Sequence, residues 1–167
     1  MRPFASRIWR HVLTDRADVD RAFPEEALAR IERAIADGET RHGGQVCFAV
    51  EAALPPVRLW RQVTPRERAL EVFAYLRVWD TERNDGVLVY LLLADRDVEI
   101  VADRGVHRAV GNEVWEAICR TMEAHFREGR FAEGVTQGVT EIETLLAQHS
   151  PRTLDDTNEL ADRPVVL

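Results

Sequence analysis

Seven consecutive apolar residues, Val87-Leu88-Val89-Tyr90-Leu91-Leu92-Leu93, follow Asn84-Asp85-Gly86 and run into Ala94-Asp95-Arg96-Asp97 and then Val98-Glu99-Ile100-Val101-Ala102-Asp103. A strand without a polar side needs cover on both faces, which places it in the middle of a layered α/β domain. The Asp95-Arg96 turn predicts a second strand running back, with Leu88 facing Asp103 and Gly86 facing Gly105. Asp85 and Asp103, eighteen positions apart in the chain, then reach the same sheet edge.

Helical periodicity surrounds this hairpin. Pro24-Glu25-Glu26 opens a helix with proline and acids in its first turn, and Ala27, Leu28, Ile31, Ala34 and Ile35 form its apolar stripe. His42-Gly43-Gly44 ends it, and Gln45 to Val50 reads as a strand closing at Glu51. Leu54-Pro55-Pro56 starts a loop that exposes Arg58, Trp60 and Arg61. Thr64 and Glu67 have capping-box spacing for a helix ending near Trp79-Asp80. Beyond the hairpin, Asn112-Glu113 begins a helix striped by Trp115, Ile118, Met122 and Phe126. A last helix carries Val135, Val139, Ile142 and Leu146 and stops at Ser150-Pro151. The strand-helix-strand order from Gln45 to Leu93 implies a right-handed parallel crossover. The expected fold is a three-layer α/β/α sandwich, Rossmann-like, with a mixed β-sheet. Its expected organisation is an N-terminal segment (1–22), an α/β domain (23–150) and a flexible, polar C-terminal tail (151–167).

The 167 residues carry 22 Lys+Arg against 29 Asp+Glu, a net charge of -7, which disfavours a nucleic-acid partner. No segment approaches the apolar length of a membrane span, and no apolar h-region follows the arginines of residues 1–10, so a cytoplasmic, non-spanning protein is expected. Cys47 and Cys119 read as small core residues, and Trp60, Trp79 and Trp115 as packing residues more than as a stacking platform.

The chemistry gathers at the hairpin's open edge. Asn84, Asp85, Asp103 and Arg104 meet there, and the crossover brings Asp80 and Glu82 close. The helix starting at Asn112 is expected to begin on the same side, its free N–H groups favouring an anion. Hard cations take oxygen ligands from several loops, so Asp80, Asn84, Asp85 and Asp103 are the candidate ligands for Ca²⁺ or Mg²⁺, with no organic cofactor. Asp85, Asp103 and Arg104 are the candidates for catalysis, the arginine steadying a phosphate beside the ion. The competing reading is that these acids only make turns and caps. Asp95 and Asp97, with Glu51, form a second acidic cluster at the opposite edge, read as hairpin chemistry. His11, His42, His107, His125 and His149 show no ligand spacing, and there is no P-loop, GxGxxG, GxSxG or CxxC. With no nucleophile or general base evident, a non-catalytic module is favoured, its protein contact at the 54–63 loop around Trp60.

Several segments in order resemble the TPM domain family: Leu76-Arg77-Val78-Trp79, Asn84-Asp85-Gly86-Val87-Leu88, the hairpin, Arg104-Gly105-Val106, and Phe126-Arg127-Glu128-Gly129-Arg130-Phe131. The likeness spans roughly residues 24 to 150, as in a short bacterial-type member. The family's NxGVL motif falls on Asn84, Gly86, Val87 and Leu88. Its GxGLE segment falls on Asp103, Gly105, Val106 and His107, with Asp103 in place of the first glycine and His107 in place of the glutamate. The family includes a thylakoid-lumen acid phosphatase, photosystem repair proteins, a nematode receptor modulator and bacterial envelope proteins. The resemblance implies a Rossmann-like α/β/α sandwich and divalent-cation binding, with phosphate-monoester hydrolysis as the alternative activity.

Overall fold

A computed structural model describes residues 4–154 and 156–167. Helices α1 (Phe4–Leu13), α2 (Arg16–Ala22) and α3 (Glu25–Glu39) precede β1 (Gln45–Glu51), and α4 (Pro56–Trp60) and α5 (Pro65–Tyr75) lead to β2 (Gly86–Leu92). A 3₁₀ turn (Leu93–Asp95) joins β2 to β3 (Asp97–Ala102), followed by α6 (Arg104–Val110), α7 (Asn112–Arg127), α8 (Phe131–His149) and β4 (Val165–Val166). The sheet order is β3-β2-β1-β4, with β1 parallel to β2 and β4, and β3 antiparallel to β2.

Every residue of β1 and β2 is buried, as the unbroken apolar run requires. Val46, Phe48, Val50, Val87, Val89 and Leu91 pack against Ile31, Ile35, Phe126 and Val139 of α3, α7 and α8. Cys47, Ala49, Leu88, Tyr90 and Leu92 turn the other way, onto Leu59, Ala69 and Val72 of α4 and α5. The fold is therefore a mixed sheet between two helical layers.

Local rules account for most element ends. Thr64 and Glu67 form the expected capping box, with Thr64 N donating to Glu67 Oε2 at 2.8 Å. Helix α5 stops at Tyr75, earlier than expected. Arg77 adopts φ 55°, and the N–H groups of Arg77 and Val78 close onto the carbonyls of Ala74 and Phe73, a Schellman ending. The hairpin register also differs. Leu88 pairs with Val101, and Gly86 lies opposite Asp103, whose N–H it accepts at 2.8 Å. The cause is a four-residue connection instead of two: the 3₁₀ turn followed by Arg96 in the left-handed region (φ 52°). Because the slip is an even number, every side chain keeps its face.

Two segments outside the expected domain are integral. Helix α1 is tied to the hairpin turn through Asp95, which accepts from Arg7 Nε at 2.9 Å and Arg10 Nη2 at 2.8 Å, with His11 Nε2 at 3.2 Å. The stretch expected as a flexible tail supplies β4 instead. Leu167 N donates to Val50 O at 2.9 Å, and Gln45 Oε1 accepts from the N–H groups of Glu159 (2.8 Å) and Leu160 (2.9 Å). Its composition is that of a tail, but an open sheet edge with unpaired backbone groups gives it somewhere to bind.

Candidate functional site

The ladder from β2 to β3 runs past the strands. Gly105 N donates to Asn84 O at 3.0 Å, so Asp103 lies opposite Gly86 and Asp85 opposite Arg104. Asp85 and Asp103 do reach the same end of the sheet. Alternation gives Asp85 the parity of Val87 and Asp103 that of Val101, on opposite faces. An ion touching both must therefore sit beyond the strand ends.

Each candidate ligand has its own setting. Asp85 is 3% exposed. Its Oδ2 accepts from Ser150 Oγ at 2.7 Å, with Arg83 Nε at 3.5 Å, while its Oδ1 has no partner among the described residues. Asp103, also buried, caps α6 by accepting from Arg104 N at 2.6 Å, and its Oδ2 has no partner among the described residues. Asp80 is exposed and paired with Arg77. Asn84 is exposed, holds φ 55° and uses its carbonyl on Gly105. Among the described residues, no three His, Cys, Asp or Glu side chains group as metal ligands. Helix α6, unforeseen from the sequence, carries the chain away before α7 begins, and Asn112 lies in a cleft with Arg66 and Glu99 rather than at this edge.

The motif residues themselves have a packing explanation. A side chain on Gly86 would overlap the carbonyl oxygen of Val78, and a Cβ on Gly105 would lie 2.6 Å from Asn84 O. Asparagine tolerates the left-handed backbone at position 84 better than most residues. Asn84, Gly86 and Gly105 thus let three chain segments cross at close range.

Around Asp85, the structure reveals a fastening for the C-terminal segment. Arg83 Nη2 donates to Ser150 Oγ at 2.7 Å and Nη1 to Asp156 Oδ1 at 3.1 Å, and Arg152 Nη1 donates to Glu39 O at 2.9 Å. Beneath it lies a buried pair, His42 with Glu143. His42 Nδ1 donates to Gly44 O at 3.1 Å, so Nδ1 carries hydrogen and Nε2 faces Glu143 across a single shared proton. Sequence reasoning missed this pair because 101 positions separate its members. One signal was available: Glu143 is an acid on the same face of α8 as the core residues Val139, Ile142 and Leu146.

The titrating groups define a pH response. Burial first, then the charges of Asp162 and Glu143, push Glu39 up to about 8 against the lowering bond from Val46 N. Burial and the charges of Glu99, Glu123 and Asp95 push Asp97 up to about 7. Burial works against the charge on Asp95, yet His11, Arg10 and Arg7 hold it well below the usual carboxylate range. Raised carboxyls contribute stability that is present below their unfolded pKa and lost as pH climbs through the folded value. The depressed Asp95 contributes stability that is lost only in acid. The melting temperature should therefore peak near pH 5 and fall toward pH 9, and Glu39→Gln should flatten the alkaline fall. A melting temperature that climbs from pH 5 to 9 contradicts this assignment.

The profile of the TPM domain family matches residues 16–145. No curated protein matches the sequence. Among solved structures, the BA42 protein of the psychrophilic bacterium Bizionia argentinensis is similar at 25% identity and a TM-score of 0.75, covering 85% of this chain and 93% of that one. The N-terminal domain of a P. gingivalis protein shares the fold at 22% identity and a TM-score of 0.56, covering 75% and 76%. Among the described residues, no helix is long and apolar enough to cross a membrane. The expectation from Asn84-Asp85-Gly86-Val87-Leu88 and the segments around it thus holds, and the chain belongs to the TPM domain family.

Proposed function

We propose that this TPM domain is a binding module that takes a divalent cation, Ca²⁺ or Mg²⁺, at the Asp85–Asp103 end of its sheet. The observation that supports this reading is the pair of buried carboxylate oxygens, Asp85 Oδ1 and Asp103 Oδ2, that no donor among the described residues satisfies. A buried anionic oxygen without a partner is costly, and a hard cation is the partner it lacks. With two carboxylates available, carbonyl oxygens and water complete the shell, the composition of a weak, exchangeable site. The protein contact in this reading is the corner formed by α4, where Trp60 is 79% exposed.

A thermal melt of the full chain under Ca²⁺ and Mg²⁺ titration tests the cation. At ~100 times the dissociation constant the melting temperature should rise by about 5 °C or more. Asp103→Asn keeps the α6 cap, because an amide oxygen still accepts from Arg104 N, and should abolish the rise. A wild-type melt indifferent to both ions, or an undiminished rise in Asp103→Asn, overturns the proposal. Metal-assisted phosphatase activity is the second reading, favoured by Arg104 lying opposite Asp85. Cation-dependent turnover of p-nitrophenyl phosphate, lost in Asp103→Asn, would select it over a module that only binds.

A further inference from the structure

The opposite end of the sheet carries a second feature. We propose that the cavity beyond the carboxyl ends of β1 and β2 binds a small organic anion, an oxyanion head on an apolar body. Strands β1 and β2 run parallel toward this end. In open α/β sheets the space beyond the strands' carboxyl ends is the usual seat of ligands. Here it holds a cavity of about 470 Å³, within the range of small-molecule sites.

Three guanidinium groups from three separate elements line it: Arg10 of α1, Arg21 of α2 and Arg96 of the hairpin turn. Asp18 is the one acid in the lining. Arg10 is paired with Asp95 and Arg21 with Asp18, while Arg96 forms no ion pair among the described residues, so the lining keeps a net positive charge on a chain of net charge -7. The groups are also held in place. Arg10 is aimed by Ala94 O at 3.1 Å and Asp95 Oδ1 at 2.8 Å, and Arg21 is tied to Asp18. Arg96 sits on a left-handed backbone, with its guanidinium carbon 6.0 Å from the centre of the Phe131 ring. Phe131 and Leu13 provide apolar wall for the body of the ligand. Helix α8 starts at Phe131 without a capping side chain, so its N–H groups add to the positive field at the same mouth. The adjoining cavity is lined by Arg10, Arg96 and Arg127 together with Asp95, Asp97 and Glu123, a mixed-charge surface without the excess of arginine found on the Arg21–Arg96 side.

Phenylphosphonate is a suitable probe, because its carbon–phosphorus bond survives any phosphatase activity. Titrated into the full chain in metal-free buffer, it should give saturable amide shifts at Leu13, Ala94, Arg96 and Gly129. Inorganic phosphate, which lacks the body, should bind more weakly. Arg96→Asn retains a residue that accepts the left-handed backbone while deleting the guanidinium, and Arg21→Gln deletes the second charge. Each should weaken binding roughly tenfold, the usual effect of losing a hydrogen bond to a charged group. Shifts that fail to saturate, shifts centred on Asp85 and Asp103 instead, or unchanged affinity in both variants would overturn the proposal. The probe needs no cation and the cavity lies at the other end of the sheet from Asp85, so the cation proposal and this one stand or fall separately.

Discussion

Gly86→Ala should destabilise the protein by about 3 kcal/mol or more, lowering the melting temperature by roughly 10 °C. Gly86 opens the central strand β2, pairs with Gln45 of β1 and accepts from Asp103 N on the other side. A methyl group there would overlap the carbonyl oxygen of Val78 and lie 3.1 Å from its carbonyl carbon and from Cγ1. Val78 cannot retreat, because its N–H closes the end of α5 onto Phe73 and its side chain is fully buried among Leu88, Val72 and Ala69. Gly86 has no positive φ, so the effect is steric rather than conformational. Chemical denaturation of the variant beside wild type measures it. A loss within 1 kcal/mol would show that the crossing of β2 over the end of α5 is looser than described, and would return the motif glycine to a ligand-binding explanation.

His42→Ala should cost about 3 kcal/mol or more, from the cavity left by the imidazole and the loss of the hydrogen-bond partner of a buried carboxyl group. Both side chains are shielded from solvent, and Glu143 Oε1 already lacks a partner among the described residues, so deletion of the imidazole leaves the carboxyl group without one on either oxygen. Burial raises the Glu143 pKa and the bond from His42 counteracts it, so the orphaned carboxyl should take up a proton and remain neutral over a wider pH range. The space is also tight, since a side chain on Gly38 of α3 would collide with Glu143. Glu143→Gln keeps a side-chain partner for His42 Nε2, because an amide can donate or accept, and should cost markedly less than His42→Ala. Equal losses in the two variants would mean that the site is held by packing alone. The C-terminal segment should loosen first in His42→Ala, because Gly43 N donates to Ser150 O at 2.9 Å beside the pair. Protection of the Leu167 amide against hydrogen exchange reports that loosening directly.

The fold was largely legible because its signals are local. The run from Val87 to Leu92 could only be a covered strand, though Leu93 turns out to open the 3₁₀ turn, and the stripes of α3, α7 and α8 could only be helices with one buried side. Thr64 and Glu67 marked the start of α5 by the chemistry of two residues three apart. The errors fell where a distant segment decides a local outcome. Helix α6 is seven residues with little periodicity, and its start depends on Asp103 leaving the ladder at Gly86. Strand β4 is two residues long and exists because β1 offers an open edge. The candidate site was legible to the same degree. Hairpin logic brought Asp85 and Asp103 to one end of the sheet, but it could not show that Ser150 and Arg83 already occupy one oxygen of Asp85.

By itself, the order of residues determined the layered α/β architecture, the parallel crossover and the membership of the TPM domain family. These follow from apolar periodicity and turn chemistry acting over ten residues or so, a range in which the chain's own geometry leaves few alternatives. Tertiary structure alone decided which acids are engaged and which keep an unsatisfied oxygen, which glycines are close-approach points, and that a polar terminus completes the sheet. It also gathered Arg10, Arg21 and Arg96 around one cavity, though the first and last lie 86 positions apart. Burial, pairing and cavity formation depend on what faces a residue across the core, and nothing in its immediate sequence encodes that neighbour.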